Sequence, residues 1–151
     1  MLLKYAKDYL ALNYNGMVED KLEADDLLGI LGSRSFDTVI WSLDKDLLTI
    51  PAFHLIEGRV VEVGLEEADY NFFYQTLVGD STDNYKGCPT IGAKKAAQLL
   101  NEKGSSWQTV LDAFESKGLG EEVAIENARL ARILRDGEYN FETKEVKLWA
   151  A

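Results

Sequence analysis

Thr38-Val-Ile-Trp-Ser-Leu43 is an almost continuous apolar and β-branched run, closed by Asp44 and Asp46. Such a run predicts a strand buried on both faces of a parallel sheet, which commits the chain to an α/β fold. Ligands of open α/β sheets bind outside the carboxyl ends of the strands, so Asp44 and Asp46 stand where a chemical site belongs. A plain polar turn would also place aspartates here, since Asp is a common turn former.

Asp44 and Asp46 form one of three acidic clusters within the first 83 residues. The others are Glu23, Asp25 and Asp26 in Glu-Ala-Asp-Asp, and Asp80 and Asp83 in Gly-Asp-Ser-Thr-Asp. If a fold brings them together, like charges at ~4 Å repel by roughly 1 to 4 kcal/mol per pair. A divalent cation turns that repulsion into binding. Mg²⁺ prefers hard oxygen ligands and leaves positions open for a phosphate and a water. The pattern therefore points to metal-dependent phosphodiester hydrolysis. Singly, each cluster also has a plainer explanation: Glu23, Asp25 and Asp26 fall on the first turn of a predicted helix over 23–31, where negative charge is favoured anyway.

Composition narrows the function classes. A chain of 151 residues that is 46% hydrophobic can bury one sizeable core. Its lone Cys88 cannot form an internal disulfide, and a cysteine-based zinc site is excluded by count. With no recognisable secretory leader and no bilayer-spanning apolar run, the chain reads as cytoplasmic, with no membrane partner. The net charge of −10 argues against a nucleic-acid partner at first sight. Seven of the 26 acidic residues, however, belong to the three clusters, and two divalent ions would return four positive charges there. Lys94 and Lys95 add a compact basic point where a helix opens after Cys88-Pro-Thr-Ile-Gly92.

Periodicity predicts helices over 2–14, 23–31, 66–78, 107–114 and 121–134, with Asn15-Gly16 ending the first. A short strand is predicted at Met17-Val18, a hairpin over 53–63 turning at Glu57-Gly58, and an extended pair over 139–149. His54 reads as a half-buried strand residue without a role. Arg129, Arg132 and Arg135 recur at three-residue spacing, a pattern that suits a solvated helix face first and an extended phosphate-facing edge second.

The segment Gly79-Asp-Ser-Thr-Asp-Asn-Tyr-Lys-Gly-Cys-Pro-Thr-Ile-Gly-Ala-Lys-Lys95 resembles the flap-endonuclease and 5′-3′ exonuclease family. There, Gly-Asp-x-x-Asp-Asn supplies metal ligands and leads into a helix-three-turn-helix element written Gly-x-Pro-Gly-Ile-Gly. Here Thr90 stands where glycine is usual. Glu23-Ala-Asp-Asp and Ser42-Leu-Asp-Lys-Asp-Leu-Leu resemble the family's two other acidic motifs, in the same order.

The resemblance implies a PIN-like parallel-sheet core over 1–78, followed by a helical, DNA-binding helix-three-turn-helix region over 79–151. It implies two Mg²⁺ ions, with Mn²⁺ as a substitute. Glu23 and Asp25 would serve the first, Asp44, Asp46 and Asp80 the second, and Asp26 and Asp83 either as ligands or as outer partners. Gly87, Ile91, Gly92, Lys94 and Lys95 would contact DNA, with a K⁺ ion at that loop. Such backbone contacts read duplex shape rather than sequence.

Family members also carry a strand, further acidic residues and a basic arch before Glu-Ala-Asp-Asp. Only 22 residues precede Glu23 here. The expected protein is thus the C-terminal half of a 5′-3′ exonuclease or flap endonuclease of the viral and bacterial polymerase-associated type, a fragment or a half completed by a second polypeptide. Its strand over 38–43 would lack a neighbour on at least one side. The alternative is a non-catalytic, structure-selective DNA-binding module.

Overall fold

A computed structural model describes residues 2–35 and 37–151. Helix α1 (Leu2–Tyr14) forms as its apolar spacing predicts, yet it buries nothing, and Leu2 and Leu12 are more than four-fifths exposed. The Met17-Val18 strand does not form; both residues are half exposed and lie outside any regular element.

Helix α2 (Ala24–Arg34) turns Leu27, Gly29, Ile30 and Gly32 inward. Gly32 lets Ile40 approach, since a Cβ there would lie 2.6 Å from the Ile40 side chain. The run over 38–43 yields only the two-residue strand β1 (Val39–Ile40), followed by a 3₁₀ turn (Lys45–Thr49). Strand β2 (Ala52–Ile56) runs parallel to β1, and β3 (Arg59–Val63) returns antiparallel to β2, giving the order β1-β2-β3. Burial on both faces is therefore not what β1 achieves. Ile40 is buried, but Val39 is 48% and Trp41 78% exposed, because β1 is an edge strand whose one neighbour among the described residues is β2. The missing neighbour was foreseeable from sequence; the loss of strand length that accompanies it was not.

The hairpin turns at Glu57-Gly58, both with positive φ (48° and 75°), as two-residue hairpins with a primed turn require. His54 is fully buried, with its Nε2 3.0 Å from the Ile50 carbonyl, so it belongs to the core.

Helix α3 (Leu65–Val78) is the central element: it packs against the 3₁₀ turn, α4 (Ala93–Lys103), α5 (Trp107–Glu115) and α6 (Glu121–Ala131). Leu77, Cys88, Ile91, Leu100, Val110 and Phe114 form the core of the helical part. Ile40, Leu47, Ile50 and Ala52 form the core beneath the sheet. Helix α6 stops at Ala131, three residues short of the periodic pattern, and the chain then crosses behind α2. A small hairpin, β4 (Tyr139–Asn140) with β5 (Glu145–Val146), closes the fold.

Arg132 and Arg135 correct the solvated-face reading. Arg132 pairs with Glu138 and lies over the Phe72 ring; Arg135 pairs with Asp69 and donates to the Thr49 carbonyl. Their side chains are only 8% and 11% exposed. Helix α6 ends before both of them, so the three-residue repeat does not run along one helical face. No helix among the described residues is long and apolar enough to cross a membrane.

Candidate active-site cleft

The three acidic clusters meet. Glu23, Asp25 and Asp26 at the start of α2, Asp44 and Asp46 after β1, and Asp83 in the loop after α3 line one cleft of about 500 Å³. Asp80 completes the group: oxygens of Asp46, Asp80 and Asp83 lie within 4.8 Å of one another. Residues 57 positions apart in sequence, Glu23 and Asp80, thus belong to one acidic constellation. Lys45 is a positive charge that acts on both Asp46 and Asp80.

Local chemistry accounts for some of these carboxylates and leaves others free. Glu23 is the N-cap residue of α2 but makes no side-chain capping bond, so capping does not explain it. Asp44 does cap, its Oδ1 accepting from the Asp46 N–H at 2.9 Å. Asp80 accepts from the Thr82 N–H at 2.6 Å, and Asp26 from the Leu134 N–H at 3.0 Å, bonds that fix the loop and the crossing behind α2. Gln75 of α3 donates to Asp46 at 2.8 Å and aims it into the cleft.

Electrostatics follow from this crowding. Burial, then the charges of Asp44 and Glu23, push the Asp25 carboxyl above the usual range. Burial and Asp44 do the same to Asp46. The Thr82 N–H holds Asp80 below it. Tyr85 closes the floor; burial and the facing aspartates drive its phenol upward, so it stays neutral. A site that disfavours its own charges, built of hard oxygen donors, has the chemistry of a divalent-cation site.

The second predicted surface is the loop over 79–92. Gly79 and Gly87 touch back to back: a Cβ on Gly79 would lie 2.4 Å from the Gly87 nitrogen, and both have positive φ (74° and 65°). The missing side chain of Gly87 is thus used inside the protein, where Asn127 of α6 also accepts from its N–H at 2.9 Å. Ile91 is buried against the helical core, so only its backbone could face a ligand. Gly92, Lys94 and Lys95 are exposed at the start of α4, where a Cβ on Gly92 would meet nothing.

The chain is 30% identical to an exonuclease of Escherichia phage T7, with 87% of this chain and 56% of that protein covered. It is 32% identical to an exodeoxyribonuclease of Enterobacteria phage T3, over 87% and 56% of the two chains. A 5′-3′ exonuclease of Buchnera aphidicola is 29% identical, over 84% and 54%. The chain belongs to the 5′-3′ exonuclease family. It spans about half the length of the curated relatives it matches. No family model matches it. The mixed α/β arrangement is compatible with the PIN-like core of a 5′-3′ exonuclease.

The chain departs from the family pattern at Thr90, and the structure shows what that substitution meets. Thr90 sits at φ 66°, a left-handed conformation that a β-branched residue resists. Thr90→Gly is therefore expected to stabilise the chain by about 1 kcal/mol, net of the entropy glycine adds to the unfolded state. Thermal unfolding should show a midpoint about 2–4 °C higher. Gln75, Tyr85 and Arg132 also line the cleft and went unread in the sequence. A glutamine on a helix, a core-like tyrosine and an arginine read as solvated carry no local mark of that role.

Proposed function

We propose that this chain provides part of the active site of a divalent-metal-dependent 5′-3′ exonuclease or flap endonuclease, hydrolysing DNA phosphodiesters near 5′ ends. The convergence of six carboxylates from three segments on one cleft, with Asp80 grouped against Asp46 and Asp83 at its edge, is the observation that carries this reading. Glu23 and Asp25 would hold one ion, and Asp44, Asp46 and Asp80 the other, with Mg²⁺ the natural occupant and Mn²⁺ a substitute. The 4.8 Å grouping favours Asp83 as a direct ligand of the second ion. The ions would supply charge neutralisation for the phosphate and activation of the attacking water.

The chain's own residues then have distinct tasks. Gln75 fixes the direction of Asp46, and Lys45 offsets part of the negative charge of Asp46 and Asp80. Exposed Lys94 and Lys95, with the amides opening α4, attract duplex phosphates without reading bases. On this reading residues 1–78 belong to the catalytic core and 79–151 to a helix-three-turn-helix region with a K⁺ ion at its loop. A second polypeptide carrying the remaining core would complete the enzyme.

Cleavage of a 5′-labelled flapped duplex with Mg²⁺ tests this, first with the chain alone and then with the N-terminal half of a related nuclease added. Cleavage is expected only in the second case. Lys94→Ala with Lys95→Ala should weaken binding on every sequence alike and lower its salt slope by about 1 to 2. Binding without cleavage in both cases would favour the non-catalytic module instead.

A further inference from the structure

Beside the carboxylate cleft lies a second, smaller cavity of about 190 Å³, separated from it by Asp26 and Arg132, which line both. Its character is opposite. Lys21 and Arg129 line it and make no ion pair among the described residues: Arg129 donates its Nε to the Trp149 carbonyl at 3.1 Å, and Lys21 reaches the Lys144 carbonyl at 3.4 Å. Arg132 is held by Glu138, and Asp26 by the Leu134 N–H. Two uncommitted cations therefore stand at the edge of an acidic site in a chain of net charge −10. The rest of the lining includes Leu148 and Trp149, whose ring packs edge-on against Phe72 and Trp107 at 5.3 and 4.9 Å.

Cations beside a fixed aromatic and aliphatic wall match a nucleotide: phosphate on the cations, sugar and base on the apolar wall. We infer that this cavity binds one nucleotide of a single strand next to the phosphodiester held at the carboxylates, with Lys21 and Arg129 gripping its phosphate. The inference rests on the nuclease reading for its neighbour but not for its own ligand chemistry. Arg132 is a positioning residue: braced on Glu138 and Phe72, it forms the wall that keeps the two cavities apart.

The test uses the intact chain in EDTA and a 5′-phosphorylated tetrathymidylate, followed by tryptophan quenching. Saturable quenching is expected. Lys21→Gln with Arg129→Gln should weaken it at least tenfold and lower the salt slope by about 1.4, two single-strand contacts at about 0.7 each. Both side chains project from exposed positions, so the variant should fold, which its melting curve checks. Absence of quenching in the parent chain, or equal affinity and slope in the double variant, overturns the inference. Cleavage in the complemented assay is read separately. Cleavage with unchanged tetranucleotide binding would sink this subsite alone, whereas the expected quenching without any cleavage would sustain the subsite and remove the nuclease reading.

Discussion

Asp46→Asn is expected to cut cleavage by the complemented nuclease on the order of 10³-fold, as loss of a central charge-stabilising group does, while DNA binding holds or tightens. Asp46 is the carboxylate at which the cluster converges. It faces Asp44, Asp80 and Asp83, and Gln75 fixes its orientation. Asparagine keeps the shape and can still accept from Gln75, but it removes the charge a cation needs. The same loss relieves repulsion. Because burial and Asp44 already raise the carboxyl's pKa, the fold disfavours its ionised form, and neutralising it should stabilise the metal-free chain. After solvent screening at this partly exposed position the gain is about 1 kcal/mol, or 2–4 °C in the melting midpoint. Single-turnover cleavage and metal-free melting together check both halves. Parent-like cleavage would refute the catalytic role, and a lower midpoint would refute the electrostatic account.

Gly79→Ala is expected to be among the most damaging single methyl additions in the loop over 79–92. At φ 74° an L side chain costs about 1–2 kcal/mol, and its Cβ would lie 2.4 Å from the backbone of Lys86 and Gly87. Neither neighbour can step aside. The Gly87 N–H is bonded to Asn127, and Asp80 and Tyr85 exchange backbone hydrogen bonds at 2.9 and 3.0 Å across the same neck. Displacing packed backbone adds about 1–3 kcal/mol, so unfolding should come on the order of 10 °C earlier. Gly118→Ala is the control: φ is 73°, but nothing lies within 4 Å, so only the backbone cost of about 1 kcal/mol applies. Similar losses at both positions would show that the close approach in the loop is unimportant.

What the sequence revealed was what depends on near neighbours. The Glu57-Gly58 turn, the extent of α3 and the acidic start of α2 follow from a few adjacent residues, and the structure places them where expected. Three ordered acidic motifs also made the family legible. What failed depended on partners elsewhere. Nothing in 38–43 says that the strand will shrink to Val39–Ile40, and nothing in α1 says that Leu3 and Leu10 will find no core. Arg135 looks solvated until Asp69, 66 positions away, is brought beside it. Gly87 carries no local sign that Gly79 fills the space beside it or that its N–H goes to Asn127, 40 positions away. The apposition of the two cavities arises only when the crossing after α6 is drawn against α2.

That crossing also bears on the order in which the molecule comes together. The bond from the Leu134 N–H to Asp26 spans 108 positions, and Arg135 reaches Thr49 across 86. Closing loops of that length is entropically costly and slow, whereas α3 with α4, α5 and α6 can gather through shorter separations. The acidic cleft is therefore a late product of folding, finished by the segment that follows α6. During synthesis the nascent chain would carry its charged segments apart, and a compact helical body would exist before there was any site to occupy.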